Sequence, residues 1–144
     1  MTKKFLLAVV ASAVTAVVPN AIITATFYYD FLKSHSPLTE MGIWDKVQIP
    51  ADQTKMPAAI LTILCIGFLL TTVMYWANSK TFLQGLKRTF IFAMFMVGMV
   101  NFGLIATTHY WSYTSGIVDI FVASITFAPA GGVASWILGK GKTV

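Results

Sequence analysis

Long apolar runs dominate the chain and alternate with short polar stretches. A helix needs roughly 20 apolar residues to cross a hydrocarbon layer about 30 Å thick. Four segments meet that length: 5–27, 56–77, 89–108 and 117–138. Asp119 is the only formal charge within them, and it lies two residues in from an end. No stretch alternates apolar and polar residues at a period of two, so the pattern excludes a β-barrel and leaves helices. The predicted class is all-α: a polytopic membrane protein of one domain, residues 1–144, with four transmembrane helices in an antiparallel bundle.

Composition agrees. Hydrophobic residues make up 57% of the chain, charged residues 10%, and mean hydropathy is +0.76. A soluble domain carries about 25% charged residues to cover its surface. The single cysteine, Cys65, excludes an internal disulfide and any multi-cysteine metal site, and inside an apolar run it reads as a small hydrophobe.

Charge sets the expected orientation. Lys3 and Lys4, then Lys80, Lys87 and Arg88, then Lys140 and Lys142 fall on one side of a fourfold crossing. That side holds seven of the ten basic residues and no acidic one; Asp30, Glu40, Asp45, Asp52 and Asp119 fall on the other, with Lys33, Lys46 and Lys55. Lysine and arginine excess stays cytoplasmic, so both termini are expected inside. The net charge of +5 and pI near 9.5 are then a topology signal, and no nucleic-acid partner is implied. Tyr28, Tyr29, Tyr75, Trp76, Tyr110, Trp111, Tyr113 and Trp136 cluster at the span ends, the headgroup level that such rings favour.

The first span follows two lysines, as a secretory signal would, but its apolar run outlasts an ordinary signal core, and Pro19-Asn20 does not suit a cleavage site. It reads as a retained helix. The loop over 30–55 is the long one. Ser36-Pro37 looks like a helix start, and Leu38, Met41, Trp44 and Val47 recur at helical spacing, which predicts a short helix lying on the outer interface, weakened by Gly42. Pro50 and Pro57 bracket the return into the second span.

Small residues allow close approach between helices in lipid. Span one carries Ala8, Ser12, Ala16, Asn20 and Thr24 at four-residue spacing, and span four is rich in alanine and glycine. Those two spans are expected to make the tightest contact, with spans two and three close neighbours that face lipid more. Pro19 and Pro129 each remove a helical hydrogen bond, and Thr15 is placed to satisfy a group so freed.

Polar groups inside a bilayer are costly and therefore informative. The short connection between spans three and four brings Asn101, His109 and Asp119 toward one end, with His109 near Asp119 and Asn101 roughly 12 Å deeper at about 1.5 Å per residue. Tyr28, Tyr29, Tyr110 and Trp111 supply aromatic cover. Two readings stay open: a hydrogen-bonded clamp between helices, and a polar pocket opening outward that relays protons or holds a ligand. No catalytic or metal-binding residue is assigned, and no cofactor is expected. His35 and His109 do not form the facing pair of a membrane haem, a three- or four-ligand metal site would need a coincidence of loop residues, and Met94, Met96 and Met99 read as apolar filler rather than a copper path. The tail Gly139-Lys140-Gly141-Lys142 lacks the setting of a phosphate loop.

The exit Phe27-Tyr28-Tyr29-Asp30, the Trp/Tyr-rich second outer loop and Gly116-Ile117-Val118-Asp119 opening the last span resemble small four-span bacterial inner-membrane proteins of unassigned function. The resemblance implies a multi-pass protein of the bacterial inner membrane and no particular activity. The sequence is thus expected to encode a non-enzymatic membrane component. It would be a helical subunit or accessory protein, partnered by lipid, by other subunits or by its own copies, or a binder of lipid or a small hydrophobic ligand at the outer pocket. The alternatives are a small transporter, disfavoured because no charged residue sits mid-span, and a membrane enzyme using His109 and Asp119.

Overall fold

A computed structural model of the protein describes residues 2–47 and 55–140. These residues form α1 (Lys3–Ile23), a π-type turn (Thr24–Tyr28), α2 (Tyr29–His35), α3 (Pro37–Glu40), α4 (Trp44–Val47), α5 (Met56–Trp76), α6 (Phe82–Thr107) and α7 (Tyr113–Gly139), with no strand among them. Pro50, Asp52 and Lys142 lie outside the described residues. Four helical units are long and apolar enough to cross a membrane: the continuous stretch Lys3–His35, α5, α6 and α7.

Three of these units outrun the apolar segments that announce them. The reason is local: a helix starts where its free amides find acceptors, whatever the hydropathy there. Thr81 accepts a hydrogen bond from the Gln84 amide at 3.3 Å, and the Gln84 side chain accepts from the Lys80 amide at 3.1 Å. This starts α6 seven residues before the apolar run at 89. Ser112 and Ser115 exchange side-chain-to-amide bonds of 3.0 and 3.1 Å, a reciprocal cap that starts α7 at Tyr113. The first unit continues past residue 27 through the π-type turn into α2. Thr26 Oγ1 donates to the carbonyls of Ile22 and Ile23, both at 3.0 Å, occupying acceptors that the widened turn loosens. The Thr15 hydroxyl, expected to serve Pro19, bonds back instead to the Ala11 carbonyl at 2.7 Å. That hydroxyl takes the nearest carbonyl one turn earlier, as threonine commonly does within a helix.

The loop is ordered by the same means. Ser36 accepts from the Leu38 amide at 3.2 Å, starting α3 at Pro37, and Gly42 at φ 68° ends that turn before α4 begins. The amphipathic segment is therefore two single turns rather than one helix. Leu38 and Trp44 are buried, while Met41 and Val47 are exposed.

α7 is the hub of the packing, touching α6, α1 and α5. The most extensive contact is α6 with α7, not α1 with α7 as the small-residue stripes suggest. α6 carries its own run of small buried residues, Gly85, Thr89 and Ala93, half hidden in the sequence among Phe, Leu and Met. A Cβ added at Gly85 would meet Ser135 Oγ at 2.2 Å, and one at Gly131 would meet Thr89 Oγ1 at 1.6 Å. The two backbones approach that closely because neither residue has a side chain. On the other flank, a Cβ at Gly67 of α5 would meet the Val9 carbonyl of α1 at 2.6 Å. Ala16, Leu70 and Ala130 join α1, α5 and α7 in a common core flanked by Ile66, Phe92 and Phe127. α5 and α6 touch only slightly, correcting the expectation from their short connection: α7 occupies the space that would bring them together.

The contacts define two ends. At one, Lys4 Nζ donates to the Lys140 carbonyl, Arg88 Nη1 to the Ala77 carbonyl, and Gly139 packs on the Lys80 backbone. At the other, Tyr28, Ser36, Tyr110 and Asp119 come together, and Lys33 pairs with Asp45 at 3.2 Å. That ion pair is exposed and contributes little.

Candidate functional site

Asp119 sits in the second turn of α7, and its level is fixed by where the flanking helices stop and start. It lies six residues into α7 from Tyr113, and Asn101 lies six residues before Thr107, where α6 ends. Both are therefore about 9 Å from the connection, at the same level. Asn101, 3% exposed, donates through Nδ2 to Asp119 Oδ2 at 2.7 Å and to the Gly116 carbonyl at 3.1 Å. Gly116 lets the helices close here, since a Cβ would press on Ile105 Cδ1 at 2.8 Å.

The second oxygen of Asp119 accepts from Tyr28. Tyr28 reaches it because the π-type turn ends at that residue: one extra residue per turn rotates the chain beyond it by about 100° relative to α-helical register. The Asp119 carboxyl thus joins three elements, α6, α7 and the end of the first span. Hydrogen bonds from neutral donors to a carboxylate are stronger than neutral pairs and suit a site with little water.

Above this node is a cavity of about 230 Å³ lined by Tyr28, Leu32, Ser36, Trp44, Tyr110, Trp111 and Asp119. Tyr110 and Trp111 meet edge to face at 5.4 Å. Ser36 Oγ donates to the Tyr110 carbonyl at 3.3 Å, so the loop is pinned to the α6–α7 connection. Trp44, 5% exposed, stacks edge-on to Tyr29 at 6.1 Å, and its Nε1 donates to the Tyr29 hydroxyl at 3.4 Å. Tyr29 therefore stands behind the wall rather than in it.

No family model, curated protein or solved structure matches this chain.

Of the residues singled out in the sequence, the structure brings Asn101, Asp119, Tyr28, Tyr110 and Trp111 together, with Tyr29 one layer out. His109 stays apart. It lies in the connection beyond the end of α6, is exposed, and the one ion pair among the described residues is Lys33–Asp45. The expected approach of His109 to Asp119 fails because Asp119 lies a turn and a half below the level of the connection. Leu32, Ser36 and Trp44 were not anticipated in the wall. Trp44 was visible as part of the apolar stripe and Ser36 as a cap, but nothing in the spacing said that the loop folds back over α7. Among the described residues no three of His, Cys, Asp and Glu gather closely enough to hold a metal. The lining offers one carboxyl, hydroxyls and aromatic faces, which can bind and orient a ligand.

Proposed function

We propose that the protein is a non-enzymatic, multi-pass component of the bacterial inner membrane, with four antiparallel helices and both termini cytoplasmic. In this reading the aromatic-walled cavity above Asp119 faces outward and binds a small ligand. The volume, about 230 Å³, is below the roughly 300–1,000 Å³ of sites for drug-sized molecules, so it suits a headgroup-sized group rather than a whole lipid. The observation that carries the reading is the chemistry of the wall: Tyr28, Trp44, Tyr110 and Trp111 around one carboxyl, with no lysine or arginine. Aromatic faces beside a carboxylate favour an organic cation, above all a quaternary ammonium. A pure clamp between helices would need Tyr28, Asn101 and Asp119 but not the three further rings.

Intrinsic tryptophan fluorescence of the purified chain tests this with tetramethylammonium and choline as probes. The expected result is a saturable change that Asp119→Asn abolishes while helix content and monodispersity stay as before. An undiminished response in Asp119→Asn, or none in the unaltered protein, would reduce the node to a clamp. A subunit role draws support from 17–27 of the first span, where Asn20 is exposed among Val17, Val18, Ile22 and Phe27. An exposed amide within an apolar helix is a group that a neighbouring helix would satisfy.

A further inference from the structure

At the basic end, far from the Asp119 cavity, two adjoining cavities open between the start of α1 and the end of α5. The first, about 580 Å³, has Thr2, Lys4, Asn78, Ser79 and Lys80 in its wall. The second, about 700 Å³, is lined by Thr2, Phe5, Phe68, Thr72, Tyr75 and Trp76. Thr2, Tyr75 and Trp76 border both, so a polar chamber and an apolar groove share one partition. Neither lining contains an acidic residue.

The polar chamber holds an unfilled hydrogen-bonding capacity. Ser79 is 3% exposed, and its hydroxyl has no partner among the described residues. Buried hydroxyls are normally paired, and leaving one unpaired is unfavourable. Lys4 spends one N–H on the Lys140 carbonyl, and an ammonium carries three. Two lysines border this space and a buried hydroxyl within its wall lacks a partner among the described residues, which together call for an anion with several acceptor oxygens. Beside it, Phe5 meets Phe68 and Tyr75 edge to face at 5.7 and 6.1 Å, giving the groove a stiff apolar floor. Tyr75 and Trp76 are 60% and 78% exposed, as suits rings at the headgroup level.

We infer that this pair of cavities binds an anionic phospholipid, with the phosphate held by Lys4, Lys80 and the Ser79 hydroxyl and an acyl chain laid along Phe5, Phe68 and Trp76. A free phosphate would use only the first chamber and leave the groove empty. General attraction of anionic lipid to a basic surface would need neither the enclosed hydroxyl nor the groove.

Thermal unfolding of the full chain in mild detergent provides the test. The additions are phosphatidylglycerol, phosphatidylcholine with the same acyl chains, and inorganic phosphate. Phosphatidylglycerol should raise Tm saturably, and the other two should not. The double change Lys4→Gln/Lys80→Gln should raise the phosphatidylglycerol concentration needed by about tenfold or more. Lys87→Gln, exposed and at the same end but outside both cavities, should leave it unchanged. An equal response to phosphatidylcholine or to inorganic phosphate overturns the assignment, and so does an equal loss in Lys87→Gln. If the double variant does not fold, native mass spectrometry of the unaltered chain decides: selective retention of phosphatidylglycerol supports the site, and indiscriminate retention of both lipids overturns it.

Discussion

Toward the Asp119 end, α6 and α7 meet through Asn101, Gly116 and Asp119; toward the basic end they meet through Gly85, Thr89, Gly131 and Ser135. The first half of this seam is polar, and its hydrogen bonds converge on one carboxyl. The second half is held by close approach, and its polar atoms are poorly served: Thr89 Oγ1 reaches only the Met74 sulfur at 3.6 Å, and Ser135 Oγ has no partner among the described residues. Side-chain hydrogen bonds between membrane helices average about 0.6 kcal/mol, because the separated helices also find partners. Overpacking a tight contact costs typically about 1–3 kcal/mol and sometimes more. The two halves therefore divide the work. The close-packed half tolerates added volume least, and the polar half sets the geometry of the site.

The sharpest way to break this comparison is at Gly131. A Cβ there would fall 1.6 Å from Thr89 Oγ1 and 2.5 Å from Thr89 Cβ, with no flexible chain end able to yield. Gly131→Ala is expected to lose about 3 kcal/mol or more, read as a large fall in Tm in detergent. Combining it with Thr89→Gly removes the three side-chain atoms that the new methyl would strike and should restore part of the loss, a strong coupling in a double-mutant cycle. If Gly131→Ala unfolds like the unaltered protein, the helices do not meet this closely.

At the polar half the effect should be smaller. Asn101→Ala removes the bonds to Gly116 and Asp119 together and leaves Asp119 with Tyr28 alone. The expected loss is about 1 kcal/mol, near the upper range for bonds between membrane helices. A cycle with Asp119→Ala should show that most of it is shared between the two residues. A loss exceeding that of Gly131→Ala would reverse the ranking of the two halves.

The four long helices were legible because hydropathy over 20 residues is a strong and additive signal. The starts of α6 and α7 were not, since two side chains decide each: Thr81 and Gln84 for α6, Ser112 and Ser115 for α7. That small error carried into the site. Counting Asp119 from an assumed start at 117 puts it level with His109, whereas counting from Tyr113 puts it level with Asn101. The membership of Asn101, Asp119, Tyr110 and Trp111 was legible from polarity and chain position. The bond from Tyr28 depends on a turn with one extra residue, which no periodicity announces. The Gly85, Thr89 and Ala93 stripe was present at four-residue spacing but hidden by the large apolar residues between them. α6 and α5 are, as expected, the least buried of the four long helices, yet α6 still makes the most extensive contact with α7 through this stripe.

The smallest expected effect is at His109, and it is the most discriminating for the site. Its ring lies beyond the last turn of α6 and is exposed, while both oxygens of Asp119 are met by Tyr28 and Asn101. Surface substitutions away from special contacts change stability by no more than about 0.5 kcal/mol. His109→Ala should therefore leave Tm within that margin, and the fluorescence response to tetramethylammonium should be the same as before. A fall in Tm as large as that of Asn101→Ala would mean that the imidazole reaches the carboxyl after all. The node would then be a charged pair near the membrane surface, and a cation in the cavity would have to compete with it.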